Sequence, residues 1–213
     1  MKPASIAANL VIALLLSLAV SAAHAQTPRF KPLVESEMTE AQLKAAREIA
    51  SGPRGRLNPD GPNALLLRSP ELMTRTQKVD EYLRYSSSLP LRLNEFAILV
   101  TARQWNAQVE WIAHHPLALK AGLDPSVAAD LAQGKRPTAM KDDEAAIYQF
   151  CKELHETKRV SDAAYQAVLD RFGECGVMDL LGLTGYYTLL AMVLNVAQQA
   201  LPAGMPPPLP VLK

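Results

Sequence analysis

Glu110 and His114 stand four positions apart, so on a helix they share one face. That face also carries the apolar residues Ala107, Leu117 and Ala118. A carboxylate beside an imidazole on an apolar face fixes the ring and raises its pKa, and such a pair can pass protons near neutral pH. The alternative is a core pair in which the two groups only satisfy each other. The spacing therefore predicts either acid–base chemistry or a structural pair.

Glu95 is a second candidate for proton transfer. On a helix its neighbours on the same face are Ile98, Leu99 and Ala102. A carboxylate among these side chains is partly desolvated, which raises its pKa and suits it to moving protons. The alternative is a surface ion pair with Arg92, three residues earlier.

Two further residues bear on the surroundings of His114. His115 points away from the face of Glu110 and His114, so we expect it to be exposed. Pro116 lacks a backbone donor and is expected to kink the helix beside His114. Irregular backbone next to a charged pair is typical of a pocket.

Helices are predicted along the whole chain outside its two ends. No segment shows period-two alternation between hairpin turns, so the predicted fold class is all-α without a substantial sheet. Capping residues, prolines and apolar spacing limit the predicted helices. These are 39–50, 69–86, 91–105, 107–121, 124–133, 142–157, 161–172 and 177–200. Residues 51–63 hold three Gly and three Pro and are a predicted loop.

The first 25 residues have the order of a secretory signal. Lys2 precedes an apolar run over residues 10–20, and Ala23-His24-Ala25 forms an A-x-A cleavage site before Gln26. The run is shorter than the ~20 residues that a transmembrane helix needs. We therefore expect a secreted or periplasmic protein, in an oxidising compartment.

The remaining chain is expected to form one main domain. Residues 26–64 are a predicted N-terminal extension with one helix, 65–200 a helical domain, and 201–213 a Pro-rich tail without a core role. Residues 180–194 are uncharged but shorter than the ~18 residues of a membrane candidate. We expect a buried or subunit-interface helix there, and no membrane span after signal cleavage.

The charge balance excludes two classes of partner. The chain has 22 Lys and Arg against 21 Asp and Glu. It therefore has no basic surplus for nucleic acid or for anionic lipid.

The two cysteines, Cys151 and Cys175, form no Cys-x-x-Cys motif. Three readings stay open: a disulfide between helices, two buried free thiols, or a redox-active pair.

Several segments together resemble the carboxymuconolactone decarboxylase family. They are Leu89-Pro90-Leu91-Arg92-Leu93-Asn94-Glu95, Gln108-Val109-Glu110-Trp111-Ile112-Ala113-His114, Ala118 and Ala121-Gly122-Leu123. Pro70-Glu71-Leu72 and Leu181-Gly182-Leu183-Thr184-Gly185-Tyr186-Tyr187 resemble longer members, so the resemblance spans 65–200. It implies the AhpD-like helical bundle, assembled as trimers or hexamers.

Proteins that share this fold form two branches, and the residues at four positions indicate which branch this chain resembles more. The AhpD-like alkylhydroperoxidases use a Glu, a Cys-x-x-Cys pair and a His. The Glu and His match Glu95 and His114, but Ala107 and Glu110 stand at the cysteine positions. Peroxide reduction by that route needs a thiolate, which is missing. The decarboxylase branch tends to carry Glu where Glu110 stands, which implies acid–base chemistry without a cofactor on a small lactone or carboxylated ring.

In that reaction, loss of CO2 leaves an enolate-like anion. Protonated His114, oriented by Glu110, would stabilise and protonate it, and Glu95 would move the proton. Arg92 and Arg103 are candidate anchors for a substrate carboxylate, although both are also typical of solvated surface positions.

Three alternative functions stay open at this point. One is a peroxidase that uses Cys151 or Cys175, and another is a non-enzymatic exported protein that binds a ligand. The third is a metal site in which Glu95, Glu110 and His114 form a two-carboxylate, one-histidine set.

Overall fold

The computed structural model describes residues 27–212, so the predicted signal segment lies outside the described residues. Eight α-helices and no strand are found in that range, which confirms the all-α prediction. The helices are α1 Glu40–Ser51, α2 Pro62–Leu66, α3 Pro70–Tyr85, α4 Leu91–Gln104, α5 Gln108–Lys120, α6 Pro125–Ala132, α7 Asp142–Thr157 and α8 Asp162–Ala197. A short 3-10 turn, Glu35–Glu37, precedes them.

Local signals place most helix ends close to their predicted positions. Thr39 and Gln42 form a reciprocal capping box at the start of α1. Gly122 follows α5 with φ +95°, a backbone conformation that glycine adopts without a steric penalty. The short helix α2 was not predicted; it begins at Pro62, inside the expected loop, and runs past the domain boundary placed at 65.

The last two predicted helices follow each other directly within α8 and are divided by a kink at Gly173, next to the predicted end of the first at 172. α8 runs through residues 173–176, and only Gly173 has non-helical backbone angles, with φ +67°. Glycine at this position lets the chain kink without a connecting loop. α8 is also long and apolar enough to cross a membrane, but 56% of its most apolar window is buried inside the structure. Burial in the core accounts for that apolar sequence.

α4 is the central helix of the bundle. It packs against α5, α6, α7 and α8, and every residue from 93 to 103 is buried. Its four buried polar residues must therefore find partners inside the protein, because water does not reach them. Those residues are Asn94, Glu95, Thr101 and Arg103.

Both chain ends outside the predicted domain join the same core. Ala45 and Ile49 of α1 belong to the hydrophobic core. The expectation that the Pro-rich tail has no core role is wrong, because Leu209 is 1% exposed. Within the tail, the N–H of Met205 donates to the C=O of Pro202 at 3.0 Å. The side chain of Gln108 bonds both the N–H and the C=O of Leu209, at 2.9 and 2.8 Å.

Candidate functional site

Glu95, Glu110 and His114 lie together between α4 and α5, and we call them the acid–histidine cluster. His114 Nδ1 lies 2.7 Å from Glu95 Oε2, and His114 Nε2 lies 3.6 Å from Glu110 Oε2. Their side chains are 2–7% exposed. The alternative of a surface pair between Glu95 and Arg92 is therefore wrong.

The tight connection after α4 brings the cluster together. Asn106 adopts φ 49°, a left-handed conformation that asparagine tolerates better than most residues. The N–H of Ala107 then bonds the C=O of Ala102 at 2.8 Å, and α5 folds back along α4. This reversal places His114 against Glu95, although the two residues are 19 positions apart.

The hydrogen-bond pattern assigns the proton on the imidazole. A carboxylate oxygen accepts, so His114 donates its Nδ1–H to Glu95 at 2.7 Å. Nε2 then faces Glu110 across a gap that is longer than a hydrogen bond. This nitrogen can therefore exchange a proton with a third group.

Arg84 is a member of the site that the sequence did not indicate. It projects from the last turn of α3, and its Nη2 lies 3.9 Å from Glu95 Oε1. Its side chain is 19% exposed, so Arg84 forms the more open edge of the cluster. No spacing rule connects it to Glu95, because the two residues lie on different helices.

Two tyrosines of α8 line another side of the acid–histidine cluster. The ring of Tyr187 meets His114 edge-on at 5.0 Å, and Tyr186 packs on Tyr187 at 5.6 Å. Burial raises the pKa of both phenols, which keeps them neutral. Among the described residues, the Tyr186 hydroxyl and Glu110 Oε1 are buried without a hydrogen-bond partner. Each atom therefore keeps hydrogen-bonding capacity that the described residues do not use.

Burial raises the pKa of Glu110, against the opposing effect of His114 and Arg84. The group thus favours its protonated form more than an exposed glutamate does. A protonated Glu110 facing Nε2 can supply a proton to the ring, which suits a reaction that consumes one.

Replacing Glu110 by Gln is expected to stabilise the protein at neutral pH. Because the folded-state pKa is raised, the wild type loses stability as the pH rises through it, whereas a Gln cannot ionise. The gain in unfolding free energy should be absent near pH 4 and appear as the pH rises. Urea unfolding at pH 4 and pH 7.5 measures it, and a pH-independent difference would contradict the assignment.

The structure does not bring the two predicted arginine anchors to this cluster. Arg92 is held by α7, where its guanidinium bonds Glu144 and lies 2.6 Å from Asp143. Arg103 donates to the C=O of Pro210 at 3.0 Å. Among the described residues, neither makes an ion pair with a cluster member, and Arg84 is the cation that does.

The geometry does not favour the metal alternative. The two carboxylates contact opposite nitrogens of the His114 ring, so the three side chains do not converge on one point. Within residues 27–212, no group of three His, Cys, Asp or Glu side chains is arranged to hold a metal.

The two cysteines lie apart as free thiols. Cys151 is buried on α7 with its Sγ 3.7 Å from Thr184 Oγ1, whereas Cys175 is exposed on α8. Thr184 stands nine residues beyond Cys175 on one helix, a rise of about 13 Å. The thiols are therefore out of reach of each other, and the disulfide and redox-pair readings have no support here.

Thiol reagents should distinguish the two cysteines. Burial raises the pKa of Cys151 to about 12, so it holds almost no thiolate at neutral pH. Titration with an aromatic disulfide at pH 8 is expected to modify only Cys175 in the folded protein, and both thiols in denaturant. Rapid modification of Cys151 in a Cys175→Ser variant would argue against this burial.

No model of a known protein family matches this chain. No significant match is found among the curated proteins either.

Proposed function

We propose that this protein is a cofactor-free acid–base enzyme of the carboxymuconolactone decarboxylase type, a lyase or isomerase that acts on a small lactone or carboxylated ring. One observation carries the proposal: a buried imidazole lies between two buried carboxylates, bonded to one and facing the other. Such an arrangement can hold and move a proton in a site that excludes bulk water.

The proton path follows from the roles of the two carboxylates. Loss of CO2 leaves the bonding electron pair on the substrate carbon as an enolate-like anion. The His114 imidazolium donates its Nε2 proton to that carbon, while Glu95 holds the Nδ1 side and stabilises the charged ring. Glu110, whose pKa burial raises, then returns a proton to Nε2.

Arg84 and Tyr186 are the proposed substrate contacts. Arg84 is the cation next to the cluster and would hold a substrate carboxylate or the developing enolate oxygen. The unpartnered hydroxyl of Tyr186 would donate a further hydrogen bond. These two residues replace Arg92 and Arg103 as the proposed substrate contacts.

Product analysis in D2O tests the reaction. Purified protein is incubated with a panel of small lactones and carboxylated rings, and CO2 release is measured together with the product mass. We expect one deuterium at the carbon that lost CO2. The double variant Glu95→Gln/His114→Gln, prepared in the same way, controls for contaminating enzymes. Equal CO2 release by wild type and double variant would refute the proposal.

The peroxidase alternative has little support from the thiols. Cys151 is buried with a raised pKa, and Cys175 lies on α8 near Asp179 rather than beside His114. Neither thiol therefore reproduces a relay that joins Glu, two cysteines and His.

We also propose that the protein is exported and that it assembles with further copies of itself. Apolar side chains lie exposed along α8, including Met178, Met192 and Val196. Such residues suit contact with a second copy, in a trimer or hexamer. Light scattering of the purified protein measures the assembly, and the mass of the exported chain checks for cleavage before Gln26.

A further inference from the structure

Arg103 is a buried cation on the central helix α4. The residue is 7% exposed, and no Asp or Glu of the described residues lies within ion-pair distance of it. Its guanidinium donates to the C=O of Pro210 at 3.0 Å and weakly to Asn106, but its Nε is buried without a partner. A buried charge normally requires a counter-ion, because desolvation is costly. An anion bound beside Arg103 would offset this cost of desolvation.

A cavity of about 360 Å³ lies beside this guanidinium. Lys135 and Lys152 also line it, and the single acidic lining residue is Glu156, which pairs with Lys152 at 3.1 Å. His155 adds no charge, since burial lowers its pKa to about 4. The lining is therefore positive at neutral pH.

The lining also contains the uncharged polar residues Gln104 and Asn106 and an apolar part to which the C-terminal segment contributes. The apolar lining residues are Val100, Leu131, Tyr148, Val211 and Leu212. Leu209 anchors the segment in the core, and the end of the half-exposed Leu212 side chain lies close to Gly134. The tail thus contributes one wall of the cavity and is anchored in the core at Leu209.

We propose that this cavity binds a small organic carboxylate, with its carboxylate on Arg103 and its apolar body between Leu131 and the tail residue Leu212. The site is separate from the acid–histidine cluster, because Arg103 lies eight residues beyond Glu95 on α4, a rise of about 12 Å. It therefore stands independently of the proposed decarboxylation.

Benzoate and its uncharged analogue benzamide test the site. Titration of the whole protein, followed by NMR shifts, is expected to show saturable binding of benzoate and at least about tenfold weaker binding of benzamide. Arg103→Gln should weaken benzoate binding by a similar factor. The exposed Lys120 provides the control, since Lys120→Gln should leave the affinity unchanged.

A second pair of variants covers the case in which Arg103→Gln does not fold. Lys135→Gln/Lys152→Gln removes the other lining cations and is expected to weaken benzoate binding at least threefold. Lys44→Gln/Lys120→Gln removes two exposed lysines elsewhere and should not. Absence of saturable benzoate binding, equal affinity for benzamide, or equal losses in the two double variants would overturn the proposal.

Discussion

His114→Gln is expected to lower turnover of the proposed reaction by about 10²- to 10⁴-fold, the usual contribution of a positioned acid–base group. Glutamine fills similar space and keeps a hydrogen-bond donor, but it cannot carry a proton to the substrate. The loss should fall on kcat, because the proton is transferred only in the chemical step. Steady-state kinetics on the substrate found by CO2 release measures it.

His115 is the matched control for this substitution. It is the next residue on α5, it stacks on Trp111 at 5.8 Å, and it is half-buried rather than exposed as predicted. His115→Gln should therefore leave kcat within about twofold of wild type. Circular dichroism and thermal unfolding confirm that both variants fold. Equal losses from both substitutions would show that His114 has no special chemical role.

Glu95→Gln tests whether the charge of Glu95 supports the His114 imidazole. The amide can still accept from Nδ1 but lacks the negative charge that stabilises an imidazolium. We therefore expect steady-state kinetics to show a lower kcat. Combined with His114→Gln, it should add almost no further loss, because the two residues act as a unit.

Arg92→Ala is expected to destabilise the fold by about 3–5 kcal/mol, the range found when one partner of a buried ion pair is removed. Glu144 is 1% exposed and Arg92 16% exposed, so the substitution leaves the Glu144 carboxylate buried without its cation. The backbone N–H of Lys141, at 2.8 Å, would be its remaining strong donor. Urea unfolding at pH 7 measures the change.

An exposed arginine pair supplies the control. Arg75 and Glu71 form an i,i+4 pair with side chains 77% and 76% exposed, so Arg75→Ala should cost at most about 1 kcal/mol. Adding Glu144→Gln to Arg92→Ala removes the uncompensated charge and should recover part of the stability. Similar costs for Arg92→Ala and Arg75→Ala would show that burial does not control this interaction.

The polar residues of α4 explain why this helix carries both proposed sites. Asn94 donates to the C=O of Leu83, Thr101 to the C=O of Ala97, and Glu95 accepts from His114. These buried groups are paired within the protein. Of the four, Arg103 alone keeps a buried donor that no residue in the range 27–212 accepts from, which is why it points to a ligand.

Local spacing determined much of this protein from sequence. Helix periodicity and capping residues predicted the all-α class and most helix ends, because these depend on hydrogen bonds and side chains within a few residues. The shared face of Glu110 and His114 follows from the same periodicity. The burial expected for Glu95 among apolar neighbours is also found.

Contacts between distant segments were decided only by the tertiary structure. Arg84 faces Glu95, Arg92 pairs with α7, and the tail enters the core at Leu209. Helical periodicity determines which face a side chain occupies, but the neighbour of that face depends on how the helices pack. A sequence read segment by segment therefore shows which residues can do chemistry, and packing decides which of them meet.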